Sequence, residues 1–118
     1  MRAHLLSWQW EQYPDGHRSR YNLAIHAATV PLFEAGVLLV VVSPWIGAWP
    51  LVAGLALLPA AMALQGRGHR RESTPPAPFD GPADVLSRIF AEQLFTFPRF
   101  VLSGGFARAW RHSRPAGK

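Results

Sequence analysis

Thirty-two consecutive residues, Ala35 to Gly66, carry no charged side chain. A chain of 118 residues has room for one domain, and here the apolar residues sit in one block instead of being spread around a soluble core. That distribution favours a membrane protein. Ser43, Pro44, Gly47 and Pro50 punctuate the block, so it reads as two antiparallel helices joined by a turn over 43–50. The first is expected over 19–43 with Ser19 as its N-cap, and the second over 50–69. Pro31 is expected to kink the first helix, a distortion that membrane helices tolerate where neighbours satisfy the freed carbonyl. From Asn22 to Ser43 the first helix is roughly 33 Å long at about 1.5 Å per residue, enough to cross a bilayer core. Leu51 to Gln65 gives only about 23 Å, which leaves tilt, local thinning, a re-entrant hairpin or packing in a homodimer all open.

Twelve Lys and Arg against seven Asp and Glu give a formal charge of +5. Such a balance suits nucleic acid or anionic lipid, and placement decides between them. Arg2, Arg18 and Arg20 precede the apolar block and Arg67, Arg70 and Arg71 follow it, while the turn has no charge and two tryptophans. No dense basic run interleaved with aromatics is present, so a nucleic-acid partner is not expected. The positive-inside rule predicts both termini on the cytoplasmic side of an inner membrane of bacterial type.

The rest of the chain reads as flanking structure. Residues 1–16, with Trp8, Trp10 and Tyr13, form an interfacial segment and not a signal peptide, because tryptophans occupy the place of a continuous apolar core. Residues 73–83 are a Pro-rich linker. Over 84–103 the spacing predicts an amphipathic helix with Val85, Leu86, Ile89, Phe90, Leu94 and Phe95 on one side and Ser87, Arg88, Glu92 and Gln93 on the other. Residues 104–118 form a basic tail. The whole is an all-α integral membrane hairpin with interfacial amphipathic helices at each side.

Chemistry, if present, lies at the ends of the block. Asn22 and His26 are four apart, as are Gln65 and His69, so each helix carries an amide one turn from an imidazole. An antiparallel hairpin brings His26 and His69 within reach of each other. These side chains are either interfacial polar groups or parts of a metal site, and with no Cys a metal would rest on His with carboxylates or water. His4 and His112, in the terminal segments, read as solvated or interfacial. Glu34 lies about 80° around the helix from His26 and is not a ligand candidate.

The order His17, Asn22, His26, Pro31 and then, after an apolar hairpin, Gln65-x-x-Gly68-His69 resembles the membrane 2-hydroxy fatty acid dioxygenases. These are typified by the fungal enzyme of phytosphingosine breakdown, from a family long catalogued as a domain of unknown function. The match covers roughly Tyr13 to Phe100. Family members place a Glu four residues after the second-helix His; here Glu72 follows His69 by three, and Pro76-Ala77 lies slightly later. The resemblance implies Fe(II) held by His17, His26 and His69, with Asn22, Gln65 and Glu72 as hydrogen-bonding partners fixing imidazole tautomers. It implies oxygen-consuming α-oxidation of a 2-hydroxy fatty acid at the membrane. Arg67, Arg70 and Arg71 read either as cations that set the topology or as candidates for holding the fatty-acid carboxylate. The alternative is a non-catalytic small membrane protein acting as an interaction or accessory subunit.

Overall fold

The computed structural model describes residues 3–113, so Arg2 and the end of the basic tail from Arg114 lie outside the described residues. Among the described residues the fold is all-α, with no strand. The elements are α1 (Leu5–Gln12), a 3-10 turn (Tyr13–Gly16), α2 (Arg20–Ile46), α3 (Ala48–His69), α4 (Pro82–Ala91), a π turn (Glu92–Thr96), α5 (Phe97–Leu102) and α6 (Gly105–His112).

α2 and α3 are long and apolar enough to cross a membrane. They lie side by side and antiparallel, with Gly68 of α3 against Asn22 at one end and Gly54 against Gly36 and Val40 towards the other. The approach requires glycine: a Cβ on Gly54 would sit 2.6 Å from the Gly36 carbonyl oxygen. The break expected at Pro44 does not occur, and α2 continues to Ile46. Pro44 cannot donate to the carbonyl of Val40, four residues back, and the Ser43 hydroxyl takes its place, donating to that oxygen at 2.8 Å. The turn shrinks to Gly47, whose φ of 139° is open to glycine. Pro50 falls in the first turn of α3, where a missing N–H costs no helical bond.

Ser19 caps α2, its hydroxyl accepting from Asn22 N at 3.4 Å. Glu72 reinforces that end from beyond α3, its carboxylate accepting from the backbone N–H groups of Arg18 and Ser19 and from Asn22 Nδ2 at 2.8 Å. An anion at a helix N-terminus also complements the helix dipole.

α4 begins at Pro82, two residues before the expected start, because Gly81 at φ 126° turns the chain and Pro is well placed at the first helical position. The polar side of the α4–α5 periodicity is the side that packs inward: Asp84, Arg88, Gln93 and Thr96 are buried. Leu86 (58 %) and Phe95 (59 %) are exposed on the other side. α6 returns to the start of α2, where Arg20 donates to the Trp110 carbonyl oxygen at 2.8 Å and lies over the Trp110 ring. Tyr13, Leu23, Val30, Phe97 and Phe100 form the core that joins these pieces.

Candidate metal centre

His17 follows the 3-10 turn, His26 lies two turns into α2, His69 ends α3 and Glu92 opens the π turn. The three imidazole centroids form a nearly equilateral triangle with sides of 4.8, 4.9 and 5.0 Å. Their planes are mutually perpendicular to within 9°. One possible ligand atom from each imidazole and one Glu92 carboxylate oxygen all lie within 4.8 Å of one another. The set could hold a metal ion.

Two of the imidazoles are oriented by backbone carbonyls. His17 Nδ1 pairs with the Tyr13 carbonyl oxygen at 2.8 Å and His26 Nδ1 with that of Asn22 at 3.0 Å. In the neutral rings Nδ1 is therefore the donor and Nε2 carries the lone pair. Both Nε2 atoms are buried without a hydrogen-bond partner, as is Nδ1 of His69. His17 Nε2 is 3.4 Å and His26 Nε2 3.3 Å from Glu92 Oε2. Lone pairs thus face an anionic oxygen, a buried arrangement that is costly unless protons or a cation lie between them. Ligand atoms at about 2.1 Å around a tetrahedral ion would be about 3.4 Å apart, so both separations fit. Three nitrogens and one oxygen suit Zn(II), Fe(II) or a similar divalent ion.

Glu92 is itself held. The Tyr13 hydroxyl donates to Oε2 at 2.7 Å, and the Tyr13 ring stacks on His17 with centroids 3.8 Å apart. Burial alone would raise the Glu92 carboxyl; with protons on Nε2 of His17 and His26, their hydrogen bonds and positive charge outweigh it and hold the group well below the usual carboxylate range. Burial, and then the neighbouring Glu92 charge and their hydrogen bond, push the Tyr13 phenol well above its ordinary value. Tyr13 therefore stays a donor.

The structure brings together His17, His26 and His69, and it redistributes the other expected roles. Asn22 serves His26 through its backbone carbonyl, while its side-chain amide donates to Glu72 and to the Gly16 carbonyl. Gln65 pairs with Gln93, each amide donating to the other at 3.0 and 2.7 Å. Glu72 caps α2. The expectation that these three side chains fix imidazole tautomers is therefore corrected: none of them hydrogen-bonds an imidazole, because the carbonyls four residues before His17 and His26 are nearer. Of the three arginines, Arg70 lines the cavity beside the cluster, Arg71 lies over the Tyr21 ring at 4.5 Å, and Arg67 is exposed and does not line it.

Sequence reasoning missed Glu92, Tyr13 and Gln93. The four-residue step from Tyr13 to His17 repeats the Asn22–His26 spacing and could have drawn attention to Tyr13. For Glu92 the helical period gave the polar side of the helix, with Arg88 and Gln93, and did not say which side meets the hairpin. In the structure that polar side packs inward, and the π turn that opens at Glu92 carries both Glu92 and the buried Gln93.

A cavity of about 800 Å³ opens beside the cluster. Its walls are α1 and the 3-10 turn, the end of α3, the linker from Thr74 to Phe79, and α4. Arg88 holds the linker in place, donating to the carbonyl oxygens of Ala77 at 2.8 Å and Pro78 at 3.0 Å while pairing with Asp84 at 3.2 Å. No family model, no curated protein and no solved structure matches this chain.

Proposed function

We propose that this chain is an integral membrane protein that binds Fe(II) through His17, His26, His69 and Glu92 and oxidises 2-hydroxy fatty acids at the membrane surface. The observation that carries the reading is a cluster of three imidazoles and one carboxylate whose ligand atoms lie within 4.8 Å of one another, with the buried, unpartnered Nε2 atoms of His17 and His26 against Glu92 Oε2. Fe(II) bound there would supply oxygen activation, by which a 2-hydroxy acid and O₂ give the acid one carbon shorter, CO₂ and water. The chain's own residues prepare the pocket. The carbonyls of Tyr13 and Asn22 keep Nε2 of His17 and His26 free for the ion, and Tyr13 orients the Glu92 carboxylate. The cavity beside the cluster is large enough for a small ligand and has apolar walls at Trp8, Met62, Phe79 and Ile89.

Membrane placement rests on where the apolar residues point. Leu38, Val41, Trp45, Trp49, Val52 and Leu55 are all exposed along α2 and α3, with Trp45 at 80 %. A continuous apolar surface of that kind is unusual on a soluble monomer. His26 lies about 32 Å from the Gly47 turn along α2, one hydrocarbon thickness, so the metal pocket would sit at the charged, cytoplasmic face.

Elemental mass spectrometry of detergent-purified protein tests the reading on wild type and on a His26→Ala, His69→Ala double variant. The expected result is about one iron per chain in the wild type after anaerobic Fe(II) loading, its loss in the variant, and oxygen uptake with 2-hydroxyhexadecanoate by the wild type alone. Turnover retained in the variant, or no iron in the wild type, would overturn the proposal and favour an accessory membrane subunit.

A further inference from the structure

Five carboxylate and guanidinium side chains line the cavity: Asp15, Arg70, Glu72, Arg88 and Glu92. Four are committed within the chain. Asp15 pairs with Arg18 at 2.8 Å, Glu72 caps α2, Arg88 pairs with Asp84 and grips the linker, and Glu92 accepts from Tyr13. Arg70 is the exception: among the described residues its guanidinium has no ion pair, hydrogen bond or aromatic partner. A cation left free on a cavity wall, one residue from His69, is available to a ligand.

We propose that Arg70 reads the carboxylate head of an amphiphile whose tail runs along Met62, Val85 and Ile89. The assignment rests on the reading of the imidazole cluster as the reacting end of a lipid site. On α3 the cavity residues Met62, Gln65, Gly66, His69 and Arg70 follow one helical face. That face carries the imidazole and the cation at its end and reaches apolar Met62 about 10 Å further back. A guanidinium matches a carboxylate with two parallel N–H···O bonds, and Arg70 can move to meet it because no intramolecular partner fixes it. Arg71, held over Tyr21, and Arg67, off the cavity wall, are not equivalent to it. Phosphate offers similar oxygens, so the head group is identified by comparing acid with phosphate.

The test is calorimetric titration of purified protein with 2-hydroxyoctanoate, its methyl ester and octyl phosphate, in metal-free and anaerobic Fe(II)-loaded forms. Wild type is expected to prefer the acid over the ester by about tenfold or more, the size of a charge-assisted hydrogen bond. Arg70→Gln should abolish that preference, Arg70→Lys should restore part of it, and Arg67→Gln and Arg71→Gln should match wild type. An Arg70→Gln variant that keeps the full preference would overturn the assignment, as would tighter, Arg70-dependent binding of octyl phosphate. An Arg70-dependent preference in protein that takes up no iron would uphold the head-group reading and sink the metal one. Iron bound normally by wild type and Arg70→Gln, with no acid preference in either, would do the reverse.

Discussion

Glu92 and Glu72 are both carboxylates that line the same cavity, yet they have different work. Glu92 faces two imidazoles and Glu72 faces the N-terminus of α2. Glu92→Gln should therefore lose the bound metal while Glu72→Gln keeps it, losing instead about 1–3 kcal/mol of stability with its charged hydrogen bonds. Metal content and thermal unfolding, measured on the same two preparations, separate the roles. Acid adds a second signature. Because the Glu92 carboxyl is held below its ordinary value of about 4.3, its contribution to stability is complete above that pH and is lost as pH falls through the lower folded value. The metal-free Glu92→Gln variant should accordingly show a shallower acid limb below about pH 4.3 than metal-free wild type. At this scale the histidines were legible, because an antiparallel pair of helices carries His26 to His69 whatever the details. Glu92 was not: the helical pattern groups it with Arg88 and Gln93, but does not say that this side packs inward.

The π turn supplies Glu92 to the site, and its next residue, Gln93, pairs with Gln65 of α3 through two amide hydrogen bonds. Both side chains are essentially fully buried, so removing one leaves the other with unmet donors and acceptors. Gln93→Ala should cost about 1–3 kcal/mol, whereas a Gln65→Leu, Gln93→Leu double variant should cost less than the sum of its single changes. A double-mutant cycle by thermal or denaturant unfolding measures that coupling. The π turn was invisible in the sequence, but the long helices were not, since a charge-free passage of that length already implies them. The expected break at Pro44 shows where the reading stopped. Proline removes a donor, and only the structure shows that the Ser43 hydroxyl supplies another to the stranded Val40 carbonyl.

Seen whole, the molecule has a polar end, where the His17–His26–His69–Glu92 cluster and α6 gather, and an apolar end at the Gly47 turn. Topology follows as a prediction, and the absence of cysteine makes it simple to test. In intact spheroplasts a membrane-impermeant maleimide should label Trp49→Cys, in the first turn of α3 beside Gly47, and should reach Arg111→Cys, on α6, only after lysis. Labelling of both before lysis would contradict the proposed crossing. The all-α class was legible from composition and spacing, whereas the inward turn of the α4 polar side was not, because amphipathicity alone does not say which side meets protein and which meets lipid. The clustered residues are also unevenly spread along the chain: three imidazoles come from its first 69 residues, and the carboxylate arrives 23 residues later. Since synthesis runs from the N-terminus, all three imidazoles are synthesised before the carboxylate that faces two of them. On the proposed metal-binding reading, the residue that completes the ligand set is the last of the four to be synthesised, so a chain cut short before Glu92 should hold the ion less well than the full chain.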